Sequence, residues 1–277
     1  MSDIERSIKT KVESVGVPLK DWDVEIYRGV LTGYNDAFII SSEKRNEILE
    51  NCADDNERER TAAIIRPILR GRDIKRYGYE FADQYIIATF PSRQYNIDDY
   101  QALKSFLLGF GMERLEQTGK EYSIDGEKVK ARKKTNNKWF ETQDSISYWD
   151  EFSKTKIVWG NLNTFGSYAL APKNMFINAP SCMIVPGSNY LLAALNSKVA
   201  DYYIRTLGVV RNGGFFEYKP MFVEKIPIPK ITAEQERVFD EILSSYQTDD
   251  ERDARIDELM YEFFGLSKEE IIFLQSQ

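Results

Sequence analysis

Glu217, Tyr218 and Lys219 spell Glu-x-Lys with Asp201 upstream, the residue types that hold a divalent metal through oxygen ligands in one class of nuclease. Such triplets arise by chance in most chains of 277 residues. Pro220, directly after Lys219, is also awkward in the strand that such a site needs. Gly109 and Gly111 form Gly-x-Gly, but Arg114 stands where a dinucleotide-binding loop has its third glycine. There is no phosphate loop ending in Gly-Lys-Ser/Thr, no Gly-x-Ser-x-Gly elbow, and no Asn-Pro-Pro-aromatic or Asp-Pro-Pro-aromatic tetrapeptide. Histidine is absent, which removes the commonest general base and metal ligand together. Cys52 and Cys182 are too few for a zinc cluster and give no disulfide framework. The sequence reads as a chain that performs no chemistry by itself and holds no cofactor or metal.

Charge is the more informative property. The net charge of −7 is unevenly distributed. Residues 231–277 carry 13 acidic and 4 basic residues, a net of −9, which leaves 31 acidic and 33 basic, a net of +2, in residues 1–230. Within that balanced body, Lys128, Lys130, Arg132, Lys133, Lys134 and Lys138 form a basic run without an acid, flanked by Asn136 and Asn137. Phosphate contacts need Lys and Arg on one surface, and base reading needs Arg, Lys, Asn or Gln on loops that enter a groove. The run supplies both, with Trp139 as an anchor in the core. Arg211 and Asn212, before Gly213-Gly214, make a second candidate loop; Arg93, Gln94 and Asn96 make a third. In the basic window 66–76, Lys75 and Arg76 are candidates for phosphates, whereas Arg72 and Asp73 are expected to pair internally and Gly71 to adopt unusual torsions. The Gly33-Tyr34-Asn35-Asp36 segment reads as a tight turn. An isolated basic run is commonly no more than solvated surface, so each loop has that competing account.

The elements that must position these side chains are mixed. Ile4, Ile8, Val12 and Val15 recur at helical spacing, so residues 1–20 form a linker or lead-in helix. Residues 22–40 read as strand, glycine turn, strand, and 42–63 as a helix broken at Cys52–Asn56. Strands are expected at 64–68 and 84–90, a helix over 98–116, and a hairpin-like stretch between Gly119 and Gly126. Four short β runs follow at 156–160, 167–171, 175–179 and 182–186, then a helix over 191–207 and a loop over 208–222. Ile226–Lys230 is extended because alternate prolines forbid a helix, and two helices follow. The fold class is α+β: a body over 21–230 and an acidic helical unit over 231–277. No apolar run approaches the ~20 residues of a membrane helix and the N-terminus is too polar for a signal peptide, so a cytoplasmic chain is expected.

Six segments occur in one fixed order: GVLTGYNDAFIIS (29–41), RPILRGRDIKRY (66–77), KKTNNKWFETQDSISYWDEFSKTKIVW (133–159), YLLAALNSKVADYY (190–203), EKIPIPKITAEQ (224–235) and IDELMYEFFGLSKEE (256–270). Together they resemble the TaqI-like C-terminal specificity region of type IIG restriction-modification enzymes and related phage-defence adenine methyltransferases. The Ile-Pro-Ile-Pro segment before a helix is also similar to the end of a type I target recognition domain. The resemblance implies double-stranded DNA as partner, read on behalf of an adenine methyltransferase domain or subunit outside this chain. That catalytic part would use S-adenosylmethionine, with or without an endonuclease beside it. A tail of net −9 would repel phosphates, so the acidic helical unit is expected to face away from DNA. Two alternatives stay open: a protein-interaction module of a phage-defence complex, met by a phage inhibitor that mimics DNA, and the metal-dependent nuclease of Asp201, Glu217 and Lys219.

Overall fold

Lys156–Trp159 and Cys182–Val185 are buried along their whole length, because each side of their sheet is covered. Side chains on successive strand residues point to opposite faces. Ile157, Trp159, Cys182 and Ile184 therefore enter one core, while Val158, Met183 and Val185 enter another. A computed structural model, which describes residues 1–208, 211–246 and 248–277, shows these strands at the centre of a four-stranded antiparallel sheet. Its order is Tyr168–Ala171, Lys156–Trp159, Cys182–Val185, Glu25–Arg28.

A second four-stranded sheet faces the first across the second core. It runs Phe176–Ile177, Ile65–Leu69, Gln84–Ile87, Ile39–Ser41, with only its first pair parallel. Phe152 stacks on Phe176 there at 4.1 Å between ring centroids. On the far side of the second sheet, helices Ser42–Glu50, Asp55–Ile64 and Gln101–Leu108 close a third core around Phe38, Ile64, Leu103 and Phe140. The layers thus run helices, sheet, sheet, helices. The α+β body with a C-terminal helical segment is as expected from the sequence.

Local differences have local causes. The second strand expected in 22–40 begins only at Ile39, because Asn35–Phe38 forms a helical turn and the chain crosses between sheets near Val30. The single helix expected over 191–207 is two, Asn189–Asn196 and Lys198–Leu207. Ser197 is extended between them and caps the second by accepting from the N–H of Ala200. Of the loop expected over 208–222, Val209 and Val210 lie outside the described residues. Among the described residues, no helix is long and apolar enough to cross a membrane.

Both chain ends meet on the outer face of the first sheet. Helix Asp3–Val15 buries Ile8 and Val12 in the first core beside Phe239, Ile256 and Met260 of the C-terminal helices. Gly16–Pro18 pairs antiparallel with Pro227–Pro229. Helix Asp249–Phe263 is bolted to the body by Arg76: its Nε and Nη2 donate to the Asp253 carboxylate at 3.0 and 2.8 Å, its Nη1 to the Gly166 carbonyl and its Nη2 to that of Asn196. The Tyr77 hydroxyl donates to the same carboxylate. One turn on, buried Asp257 accepts from the Lys198 N–H at 2.8 Å.

Burial, and then the like charge of Asp253, pushes the Asp257 carboxyl up to about 6. Its pKa in the unfolded chain is about 3.9, so folding takes up a proton between those values and this group's contribution falls as pH rises through them. Asp257→Asn keeps the acceptor and removes the charge. It is expected to raise stability by about 2–3 kcal/mol at pH 7.5, a gain that shrinks toward zero near pH 4. Denaturant titrations of both proteins across that range would show it; a pH-independent difference would contradict the assignment.

Candidate nucleic-acid interface

The hairpin expected between Gly119 and Gly126 forms further on, with strands Glu121–Ile124 and Glu127–Lys130 paired Tyr122↔Val129 and Ser123↔Lys128 and Gly126 in the turn between them. Its tight turn needs the left-handed region at Asp125 (φ 51°) and Gly126 (φ 86°), the Asp-Gly pair that suits a two-residue loop. Alternation places buried Val129 against the body and sends exposed Lys128 and Lys130 to the opposite face. Lys133, Lys134 and Asn136 continue as exposed loop. Among the described residues, Lys128, Lys130, Lys133 and Lys134 have no carboxylate within ion-pair distance, unlike Lys44, Arg70, Arg76 and Arg211.

Arg132, in the middle of that run, does the opposite. It is 4% exposed, and its guanidinium donates to four backbone carbonyls: Leu115 (2.8 and 2.7 Å), Thr32 (3.0 Å), Glu141 (2.7 Å) and Trp139 (2.6 Å). It also lies over the Phe38 ring, 4.9 Å from its centroid. Burial pushes its pKa down to about 10, which leaves it a cation at neutral pH. The expected DNA contact is therefore corrected: Arg132 is a structural tie between the 31–34 turn, the 112–116 segment and the 139–141 loop. Asn137 is corrected likewise, since its amide donates to the Thr142 and Gln143 carbonyls at 3.2 and 2.9 Å. Lys138 is exposed and lies 5.6 Å from the Phe140 ring, while Trp139 is half-buried beside it.

Further bonds gather neighbouring loops around this tie. The Gln143 N–H donates to the Thr32 carbonyl, and the Leu31 N–H to the Asp144 carboxylate at 3.1 Å. Gly33 sits at φ 79°, and a Cβ there would come within 3.0 Å of Gln143 and 3.2 Å of Arg132. In the third candidate loop, the Ser92 hydroxyl donates to the Ile146 carbonyl at 2.6 Å and Arg93 lies 5.0 Å over Trp149. Gln94 is exposed in the left-handed region, and the Asn96 carbonyl oxygen accepts from the Asp98 N–H, an ordinary turn role. The structure thus brings 128–138 together with the 33–36 turn, while the third loop is tied at Ser92 and Arg93 to the 145–149 segment.

It does not bring in the others. Arg211 pairs with Glu217 at 2.5 Å, and Asn212 is exposed beside it in a loop leading to the Phe216–Glu217 strand, which pairs with Leu162–Asn163. Arg76 is half-buried, with its guanidinium donors engaged by Asp253 and by the Gly166 and Asn196 carbonyls. Lys75 is exposed, donates to the Arg72 carbonyl and lies 3.8 Å from Glu80. The expected Arg72–Asp73 pair is Arg70–Asp73 instead, bidentate at 2.9 Å on both arms, because Gly71–Asp73 forms a helical turn that points Arg72 to solvent. Gly71 needs no unusual torsion; a Cβ would only approach the Ser181 hydroxyl at 3.2 Å. The nuclease triplet is likewise occupied. Asp201 accepts from the Gly166 N–H, the Tyr218 hydroxyl and Arg205, and Glu217 from Arg211 and Lys219.

One residue of the rim escaped sequence reasoning. Arg114, notable there only for breaking a glycine pattern, is exposed beside Tyr34 and the hairpin lysines. Nothing short of the fold relates position 114 to positions 34 and 128.

The two-sheet α+β body with helices on its outer faces has known counterparts. The chain belongs to the TaqI-like C-terminal specificity domain family, whose pattern matches residues 66–228. Its fold is similar to the type IIG restriction endonuclease BpuSI, with 12% identity and a TM-score of 0.55 over 95% of this chain and 33% of that one. It is also similar to the type IIL restriction-modification enzyme MmeI, solved in complex with DNA, with 13% identity and a TM-score of 0.61 over 93% of this chain and 35% of that one. At such identity the likeness is one of fold, and this chain spans about a third of each. No curated protein matches.

Arg132→Met would leave the Leu115 and Trp139 carbonyls without another donor among the described residues. At about 1–3 kcal/mol for each unsatisfied buried group, a loss of about 2–5 kcal/mol is expected. Lys133→Ala and Lys134→Ala should each stay within about 0.5 kcal/mol of the parent. Chemical denaturation distinguishes the tie from the exposed cations; equal effects at 132 and 133 would refute the division.

Proposed function

We propose that this chain reads a target sequence in double-stranded DNA for an adenine methyltransferase of restriction-modification type, the catalytic part lying outside it. The observation that carries the reading is the row of lysines without acid partners, Lys128, Lys130, Lys133 and Lys134, on an edge held rigid by buried Arg132. Folded proteins usually neutralise or disperse such charge; four uncompensated cations beside exposed amides suit a polyanion that also carries base edges. The hairpin and the 133–136 loop enter the major groove, the lysines hold phosphates and fix register, and Asn136 and Gln94 meet base edges. Each good bidentate contact adds about 1–3 kcal/mol of discrimination. S-adenosylmethionine, the methyl donor of such a partner, would be bound by the partner.

The family supports the reading, and so does the arrangement of Asp201 and Glu217, whose oxygens are engaged by Arg205, Arg211, Lys219 and Tyr218. Those carboxylates are held as ion pairs within this part of the fold.

Selection from a pool of random duplexes at 50 mM and physiological salt should enrich one short motif. The variant carrying alanine at Lys128, Lys130, Lys133 and Lys134 should keep its melting temperature and lose the enrichment. Its salt dependence should flatten by about 0.9 in log–log slope for each phosphate contact removed. Binding by the variant equal to that of the parent would remove this rim as the reading surface.

A further inference from the structure

Alongside the strand Glu127–Lys130 lies an open pocket of about 310 Å³ whose wall includes Gly33, Tyr34, Arg114, Lys128, Val129 and Lys130. We propose that this pocket seats one backbone phosphate of the bound duplex, with Arg114 as its principal ligand and Lys128 and Lys130 beside it. The proposal rests on the reading that the rim binds DNA.

Its lining is made of donors. Arg114 offers a planar fork of N–H groups, the lysines two ammonium groups, and Tyr34 a hydroxyl. No carboxylate lines the pocket. Of the nearby acids, Glu116 accepts from the Tyr122 hydroxyl at 2.8 Å, and Glu113 and Glu127 lie outside ion-pair distance of Arg114. Arg132 also borders the pocket, but its guanidinium is turned into the protein onto four carbonyls, so the free charge comes from Arg114 and the two lysines. Arg114 has no ion-pair partner among the described residues, and its pKa is raised by its hydrogen bond to the Tyr34 hydroxyl and, more weakly, by Glu127.

Three full positive charges around one concavity fit a full negative charge better than the edge of a neutral base. An arginine fork suits two phosphate oxygens, and ammonium groups act as point charges on the same anion. A phosphate held here would set the distance between the duplex and Asn136 on the adjoining loop, and so the register in which bases are read.

The test is Arg114→Gln in the full chain, which removes the charge but keeps a donor. Against the selected duplex it should bind about tenfold more weakly at 50 mM salt, with a log–log salt slope smaller by about 0.9. The enriched motif should be unchanged, and so should the melting temperature, because Arg114 is exposed. Unchanged affinity and slope would overturn the phosphate seat, and a preference altered at one base position would assign Arg114 to a base instead. A Lys133→Ala, Lys134→Ala variant tells the two levels apart. If it loses binding while Arg114→Gln does not, only the pocket falls; if the unaltered chain binds no duplex even at 50 mM salt, the wider reading falls with it.

Discussion

The basic rim depends on one desolvated guanidinium. Arg132 sits in a cavity whose walls are the 31–34 turn, the end of the 112–115 helical turn and the 139–141 loop, three pieces of chain far apart in sequence. An arginine there serves better than an apolar side chain because the loops present their carbonyls inward, and an unpaired buried carbonyl is costly. It serves better than a lysine because a fork of five donors can reach four acceptors in different directions, whereas an ammonium has three. Its burial carries a desolvation penalty, visible in the lowered pKa. The return is geometric: Lys130 on one side of it and Lys133 and Lys134 on the other leave the protein at fixed positions rather than from a floppy loop. A run that looks uniformly cationic is thus two kinds of residue, one inside and the rest outside.

The same logic governs the other basic window. Arg70 grips Asp73, Arg76 grips Asp253, and Arg72 is left in solvent. Both gripped pairs are bidentate and partly buried, with further bonds to backbone, the circumstances in which an ion pair fixes geometry rather than decorating a surface. Arg76 and Tyr77 between them dock the 249–263 helix onto the sheet. The GRDIKRY segment is therefore a structural joint between body and tail.

Much of the fold was legible because it follows from local patterns. Continuous apolar runs marked the buried strands, and the stretch at Cys52–Asn56 marked the break between two helices, whereas Gly126, expected to end a hairpin-like stretch, proves to be its turn. The family resemblance was legible from segments in order, which no single motif could carry. What stayed hidden was long-range pairing. Nothing near position 132 says that its side chain points inward, since Lys, Arg, Lys, Lys is the pattern of a solvated loop. Nothing near 72 says that a helical turn will bring Arg70, not Arg72, to Asp73. Lys156 begins an apolar strand, yet its ammonium is fully buried, donating to the Pro172 carbonyl with its pKa pushed down to about 8. These choices are made by carbonyls and carboxylates that arrive from elsewhere in the chain, and a one-dimensional pattern does not record them.

The layered order also resolves the conflict between an acidic tail and an acidic ligand. The C-terminal helices pack on the outer face of the first sheet, in the core that holds Trp159 and Ile184. The rim belongs to the opposite outer layer, where Phe38, Leu115 and Phe140 form the third core. Two sheets with a core between them separate those layers, and packed sheets alone stand about 10 Å apart. Electrostatic influence in solution decays over about 8 Å at physiological ionic strength. The net −9 of residues 231–277 thus lies on the layer away from the rim, where Lys128, Lys130, Lys133 and Lys134 are exposed. The Arg76–Asp253 clamp keeps the tail there, and by consuming a cation of the body on an acid of the tail it turns a residue that could have met DNA into one that holds the tail's charge away from it.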